Sequence, residues 1–106
     1  MNDSTRESSR LAREISDRPV RALFERFVVT CTGLHGDIHV QATSVEIVFS
    51  FRDRLLCRLA PYRELFHVQV GGNPGWETRV RSETGFLDTV DRTLERFLDI
   101  YGAAPG

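Results

Sequence analysis

The chain has 106 residues, 41% of them hydrophobic and 27% charged, with a formal net charge of -1. This length suits one domain and leaves no room for two. The composition is that of a globular protein able to bury a core without metals or disulfides. Near-neutrality gives no long-range field toward nucleic acid or an anionic membrane. No apolar run has membrane-spanning length, and the polar N-terminus lacks the apolar core of a signal peptide, so a cytoplasmic location is expected.

Residues 1–9 are polar and read as a disordered tail, followed by a single domain over 10–102 and a stub over 103–106. Leu11 and Ile15 form a short helical stripe, which Asp17-Arg18-Pro19 interrupts. Asp17 can cap a new helix with Pro19 in its first turn. That helix runs from about residue 18 into the low 30s, with Val20, Leu23, Phe24, Phe27 and Val28 inward at spacings of three and four. A loop with Gly33 and Gly36 follows.

Strand signals then begin. Ile38, Val40 and Ala42 alternate with His39, Gln41 and Thr43, and Val45, Ile47, Phe49 and Phe51 alternate with Glu46, Val48, Ser50 and Arg52. Arg52-Asp53-Arg54 reads as a turn. Leu55, Cys57 and Leu59 are expected inward on the next strand, which Pro61 ends or confines to an edge. Phe66, Val68 and Val70 form a fourth strand, the cluster from Gly71 to Gly75 breaks it, and Trp76, Thr78 and Val80 form a fifth. Ser82 or Thr84 can cap a last helix whose apolar face reads as Leu87, Val90, Leu94, Phe97, Leu98 and Tyr101, with Asp88 and Arg92 as an i,i+4 pair. The expected fold is α+β: a two-layer α-β(about 5)-α sandwich. Its antiparallel meander sheet carries both helices on one face and leaves the other open.

The open face is the first place to look for function. Alternation puts Glu46, Ser50, Arg52, Arg58, His67, Gln69, Glu77, Arg79 and Arg81 there, with Arg54 at its edge. One reading is a solvated face with cross-strand Arg–Glu pairs. The other is a surface on which arginines meet phosphate, without the aromatic row that base stacking uses. All 14 basic residues are arginine, which suits guanidinium recognition of anions but follows equally from codon bias. Cys31, His35 and His39, joined by Cys57 or His67, have the right chemistry for zinc but no paired knuckle spacing, so no metal is expected. The cysteines read as small buried hydrophobes. No P-loop, dinucleotide glycine pattern, nucleophile elbow or H-E-x-x-H occurs, and no catalytic residue or cofactor is expected. Trp76 reads as a core-capping aromatic, or as the wall of a pocket shared with Tyr62 and Tyr101.

Three stretches carry a resemblance: Arg18 through Phe27, Asp37 through Phe49, and Gly75-Trp76-Glu77-Thr78-Arg79-Val80-Arg81-Ser82 running into the last helix. In these the chain resembles a small bacterial domain family of unassigned function, labelled transport-associated and distantly similar to the MmcQ/YjbR-like proteins. The resemblance implies an α-β-α sandwich whose open sheet has been likened to a DNA-binding surface, on which Arg52, Arg58, Arg79 and Arg81 would face DNA. It defines no catalytic residues. The expected function is a non-catalytic binding module whose open face or sheet edge engages another protein or a second copy of itself. The alternatives are a weak DNA-binding accessory domain and, third, a small-molecule site or enzyme near Trp76.

Overall fold

The computed structural model describes residues 3–72 and 74–103, with side chains from residue 7 onward. The elements run α1 (Asp3–Ala12), α2 (Arg18–Thr32), β1 (Ile38–Ala42), β2 (Ile47–Phe51), β3 (Arg54–Tyr62), β4 (Leu65–Val70), β5 (Trp76–Val80) and α3 (Glu83–Gly102). The five strands form one antiparallel sheet in the order β1-β2-β3-β4-β5, the expected meander. No helix among the described residues is long and apolar enough to cross a membrane.

Sheet alternation sends Ile47, Phe49, Phe51, Leu59, Phe66, Val68 and Val80 to one side, where they merge with Val20, Phe24, Phe27, Phe86 and Ile100 of the helices in a single core. Phe27 joins the layers. Its ring lies 6.4 Å from Phe66 on β4 and 6.2 Å from Phe86 on α3, and Phe24 meets Phe66 edge-on at 5.3 Å. The Asp17 side chain caps α2 by accepting from the Val20 amide at 3.0 Å, and Ser82 caps α3 by accepting from Gly85 at 3.3 Å. Ser82, rather than Thr84, is therefore the cap.

Three findings correct the expectations from sequence. The segment read as a disordered tail is helical from Asp3, while residues 1–2 and 104–106 lie outside the described residues. Helix α1 carries little apolar surface, and Arg10 bridges Glu7 at 2.6 Å along it. It is anchored by Leu11, Ala12 and Ile15, all buried, and by Arg21, whose guanidinium donates twice to the Ile15 carbonyl at 2.9 and 2.7 Å.

The second correction is in β3. The β2–β3 register shifts between Phe49, opposite Cys57, and Ser50, opposite Leu55. The extra residue is a β-bulge that turns Leu56 into the core and leaves Leu55 half-buried, reversing the expected phase at these two positions, while Cys57 and Leu59 point inward as expected. The bulge is held from two sides. The Gly71 amide donates to the Leu56 carbonyl at 2.9 Å, and Arg96 of α3 donates to the Leu55 carbonyl at 3.0 Å. A Cβ on Gly71 would collide with that same Leu55 carbonyl oxygen.

The third correction is the rotation of α3. Its buried residues are Phe86, Thr89, Thr93, Phe97 and Ile100. Leu87, Leu94, Leu98 and Tyr101, expected inward, are exposed at 52%, 36%, 63% and 52%. Two threonines can occupy the buried face because each hydroxyl donates to the carbonyl one turn back, Thr89 to Gly85 at 2.7 Å and Thr93 to Thr89 at 2.8 Å.

Gly71→Ala should destabilise the domain by about 2 kcal/mol through overpacking at the bulge. Gly36→Ala, where a Cβ meets nothing within 4 Å, should shift stability by less than about 0.5 kcal/mol. Paired urea titrations of the two variants check this.

Candidate functional site

The open sheet face is built as the alternation implies, but it is less basic. Cross-strand partners Gln41, Val48, Arg58, Gln69 and Glu77 form one row across all five strands, and Ala60, His67 and Arg79 form a second on β3 to β5. Arg58, His67, Gln69, Glu77 and Arg79 are exposed there. Glu77 stands opposite Gln69, and Arg79 opposite His67. Among the described residues none of Arg58, Arg79 and Glu77 enters an ion pair.

Arg52 is not on this face, which corrects its assignment. Arg52 and Asp53 form a two-residue hairpin turn with φ of 54° and 62°. Arg52 then folds toward the helices. Its guanidinium lies 4.8 Å from the Phe51 ring and 5.2 Å from the Tyr101 ring, and Nη1 donates to the Tyr101 carbonyl at 3.2 Å. These contacts offset the left-handed backbone that a non-glycine residue adopts only at a cost. Arg81 lies at the border of the face, where it lines a cleft of about 380 Å³ with Asp17, Val20, Tyr62 and Arg63.

Trp76, Tyr62 and Tyr101 do not share a pocket. Tyr62 pairs with Leu65 at one end of β4, and Trp76 pairs with Val70 at the other. Tyr62 stacks edge-on to His67 at 5.9 Å. Half-buried Trp76 lies under the Arg92 guanidinium, 5.5 Å from its ring. This contact draws Arg92 away from the pairing with Asp88 read from the sequence. Tyr101 belongs to an aromatic cluster with His35, Phe51 and Phe97.

The cysteine and histidine set disperses as well. His35 joins that cluster, 4.9 Å from Phe51, and its Nδ1 accepts from the Asp37 amide at 3.0 Å. His39 and His67 lie on β1 and β4. Cys31 and Cys57 alone meet, Sγ to Sγ at 3.7 Å, both buried as free thiols. The sequence held no signal for that contact, because it joins a helix to a strand 26 residues later. Burial first, and then the adjacent Cys31, push the Cys57 thiol well above its ordinary value. A thiol held protonated in this way is a poor nucleophile.

The feature missed by sequence reading is on α3. Leu87, Leu94, Leu98 and Tyr101, spaced by seven, four and three, make an exposed apolar ridge, and Val90 is half-buried at its inner border. A surface helix normally shows one apolar stripe; here a buried stripe and an exposed one lie side by side. The signal was present in the sequence, since the apolar residues of α3 cover an arc wider than one sheet face requires. Beyond the ridge, Asp88, Asp91, Glu95 and Asp99 are exposed, and among the described residues none of them forms an ion pair. A second concavity, about 580 Å³, lies between α1 and α2 and is lined by Ala12, Arg13, Phe24, Val28 and Val29, among others.

The folded state keeps its Cys57 proton to higher pH than the unfolded chain, whose thiols titrate near about 8.5. Stability contributed by the protonated thiol is thus complete below that pH and lost above it, by up to about tenfold in the folding equilibrium per pH unit for one proton. Urea midpoints should be level from pH 6 to 8 and fall from pH 8.5 to 10, and Cys57→Ala should flatten that fall.

No family model, curated protein or solved structure matches the chain, and the resemblance to the MmcQ/YjbR-like proteins rests on its sequence motifs alone.

Proposed function

We propose that this protein is a non-catalytic interaction module that binds another polypeptide along α3. The observation that carries this reading is the ridge of Leu87, Leu94 and Leu98 left in water on a helix whose other apolar stripe is buried. Exposed apolar residues gathered on one element and bordered by charge characterise protein-binding surfaces, whereas scattered ones do not. The two thiols support no reactive role in this reading, both being buried and Cys57 held protonated.

The open sheet face is the second reading, as a surface for a protein or for nucleic acid. It is favoured by Arg58 and Arg79, which project from a flat face without ion-pair partners among the described residues. It is weakened because Arg52 turns to the helix side and Glu77 shares the face. Two arginines on a protein of net charge -1 release few counterions from DNA.

A photo-crosslinking residue placed at Leu98 or at Gln69 in cells that make the protein distinguishes the two. The α3 reading predicts discrete protein adducts from position 98 and few from position 69. Adducts from position 69 alone, or from neither position, would overturn it.

A further inference from the structure

Building on the reading just proposed, we infer that the occupant of the α3 ridge is a basic amphipathic helix of a partner protein. The ridge fits a helix. From Leu87 to Tyr101 it runs along about four turns, or about 21 Å at 1.5 Å per residue, and its spacings of seven, four and three are those on which helices interdigitate. The charge beside it sets the sign of the partner. Asp88, Asp91, Glu95 and Asp99 are exposed along one flank. The two arginines of α3 are committed elsewhere: Arg92 covers Trp76, and Arg96 donates to the Leu55 carbonyl. On the other flank, Glu83 at the helix start is already met by Arg26 of α2 at 3.7 Å.

A second copy of the chain fits this surface poorly. Pairing α3 antiparallel with α3, about a two-fold axis perpendicular to the helices, would bring one acidic flank to the other, and like charges across an interface oppose association. A helix with leucines at three- and four-residue spacing and arginine or lysine on its borders satisfies both the ridge and the flank. Its attraction is screened by salt, because the carboxylates are exposed.

The full chain can be tested with two synthetic 16-residue amphipathic peptides that share a leucine stripe, one bordered by arginine and one by glutamate. Fluorescence anisotropy should show binding of the arginine-bordered peptide only, weakening as sodium chloride is raised. Leu94→Gln with Leu98→Gln should reduce affinity at least tenfold, and Asp91→Asn with Glu95→Gln severalfold. These side chains are exposed, so thermal melting should confirm that every variant is folded. Equal binding of the glutamate-bordered peptide, or binding that survives the leucine variant, would overturn the proposal. A dimer in sedimentation that Leu98→Gln dissociates would overturn it in favour of a second copy. If neither peptide binds while position 98 still crosslinks, the partner chemistry is wrong and the interaction module stands; if both tests are blank, both fail.

Discussion

The rotational setting of α3 decides what this domain presents to its surroundings. Three contacts fix it. In the first turn of the helix Phe86 packs edge-on against Phe27 at 6.2 Å, and toward its C-terminal end Phe97 packs 5.1 Å from Phe51. At the border of the buried arc, Arg96 reaches the Leu55 carbonyl at the bulge of β3. A charge-assisted hydrogen bond to a backbone carbonyl has a direction that apolar packing lacks. Were the helix turned to bury Leu94 and Leu98, Arg96 would leave the bulge and Thr93 would face water. The bulge, Gly71 behind it and Arg96 above it form one unit, and the exposed ridge follows from it.

The rest of the architecture distributes polarity around that setting. Three helices cover one face of the meander, so the sheet's second face stays open and carries polar side chains of both charge signs, among them Arg58, Gln69, Glu77 and Arg79. Of the arginines expected on this face, Arg52 turns to the helix side while Arg58 and Arg79 stay on it; other arginines of the chain have packing roles as well. Arg21 holds the end of α1, Arg26 covers Phe86 at 4.7 Å, Arg52 lies on Phe51 and Tyr101, and Arg92 lies on Trp76. A planar guanidinium suits all four settings, since it can cover a ring with its face and still donate from its edge. In this chain an all-arginine complement is therefore in part a packing device.

Much of the fold was legible because periodicity is strong where one face is buried. Period-two runs marked all five strands, and the three- and four-residue spacing of Val20, Leu23, Phe24 and Phe27 marked α2 together with its Asp17 cap. The failures have physical causes. Residues 3–9 have almost no apolar signal, because their helix is held through Leu11, Ala12 and Ile15 just beyond them. In β3 the run Leu55-Leu56-Cys57 has no alternation from which to place a bulge; the hint was Gly71, a small residue where backbone approaches backbone. In α3 the spacing of Leu87, Val90, Leu94, Phe97, Leu98 and Tyr101 implies an apolar face of which only Phe97 is buried, whereas threonines that satisfy their own hydroxyls occupy two core positions. Arg52 was placed by strand parity beyond the point where the strand ends in a tight turn. The candidate site was missed for the α3 reason: sequence alone finds a wide apolar arc without showing which half the sheet takes.

The most direct measurement is hydroxyl-radical footprinting of the free protein, resolved along α3 by mass spectrometry. The account predicts that Leu87 and Leu98 are oxidised readily while Phe86 and Phe97 are protected until the protein unfolds. Protection of Leu94 and Leu98 together with rapid oxidation of Phe97 in the folded monomer would mean the helix is turned the other way, and the docking ridge would not exist.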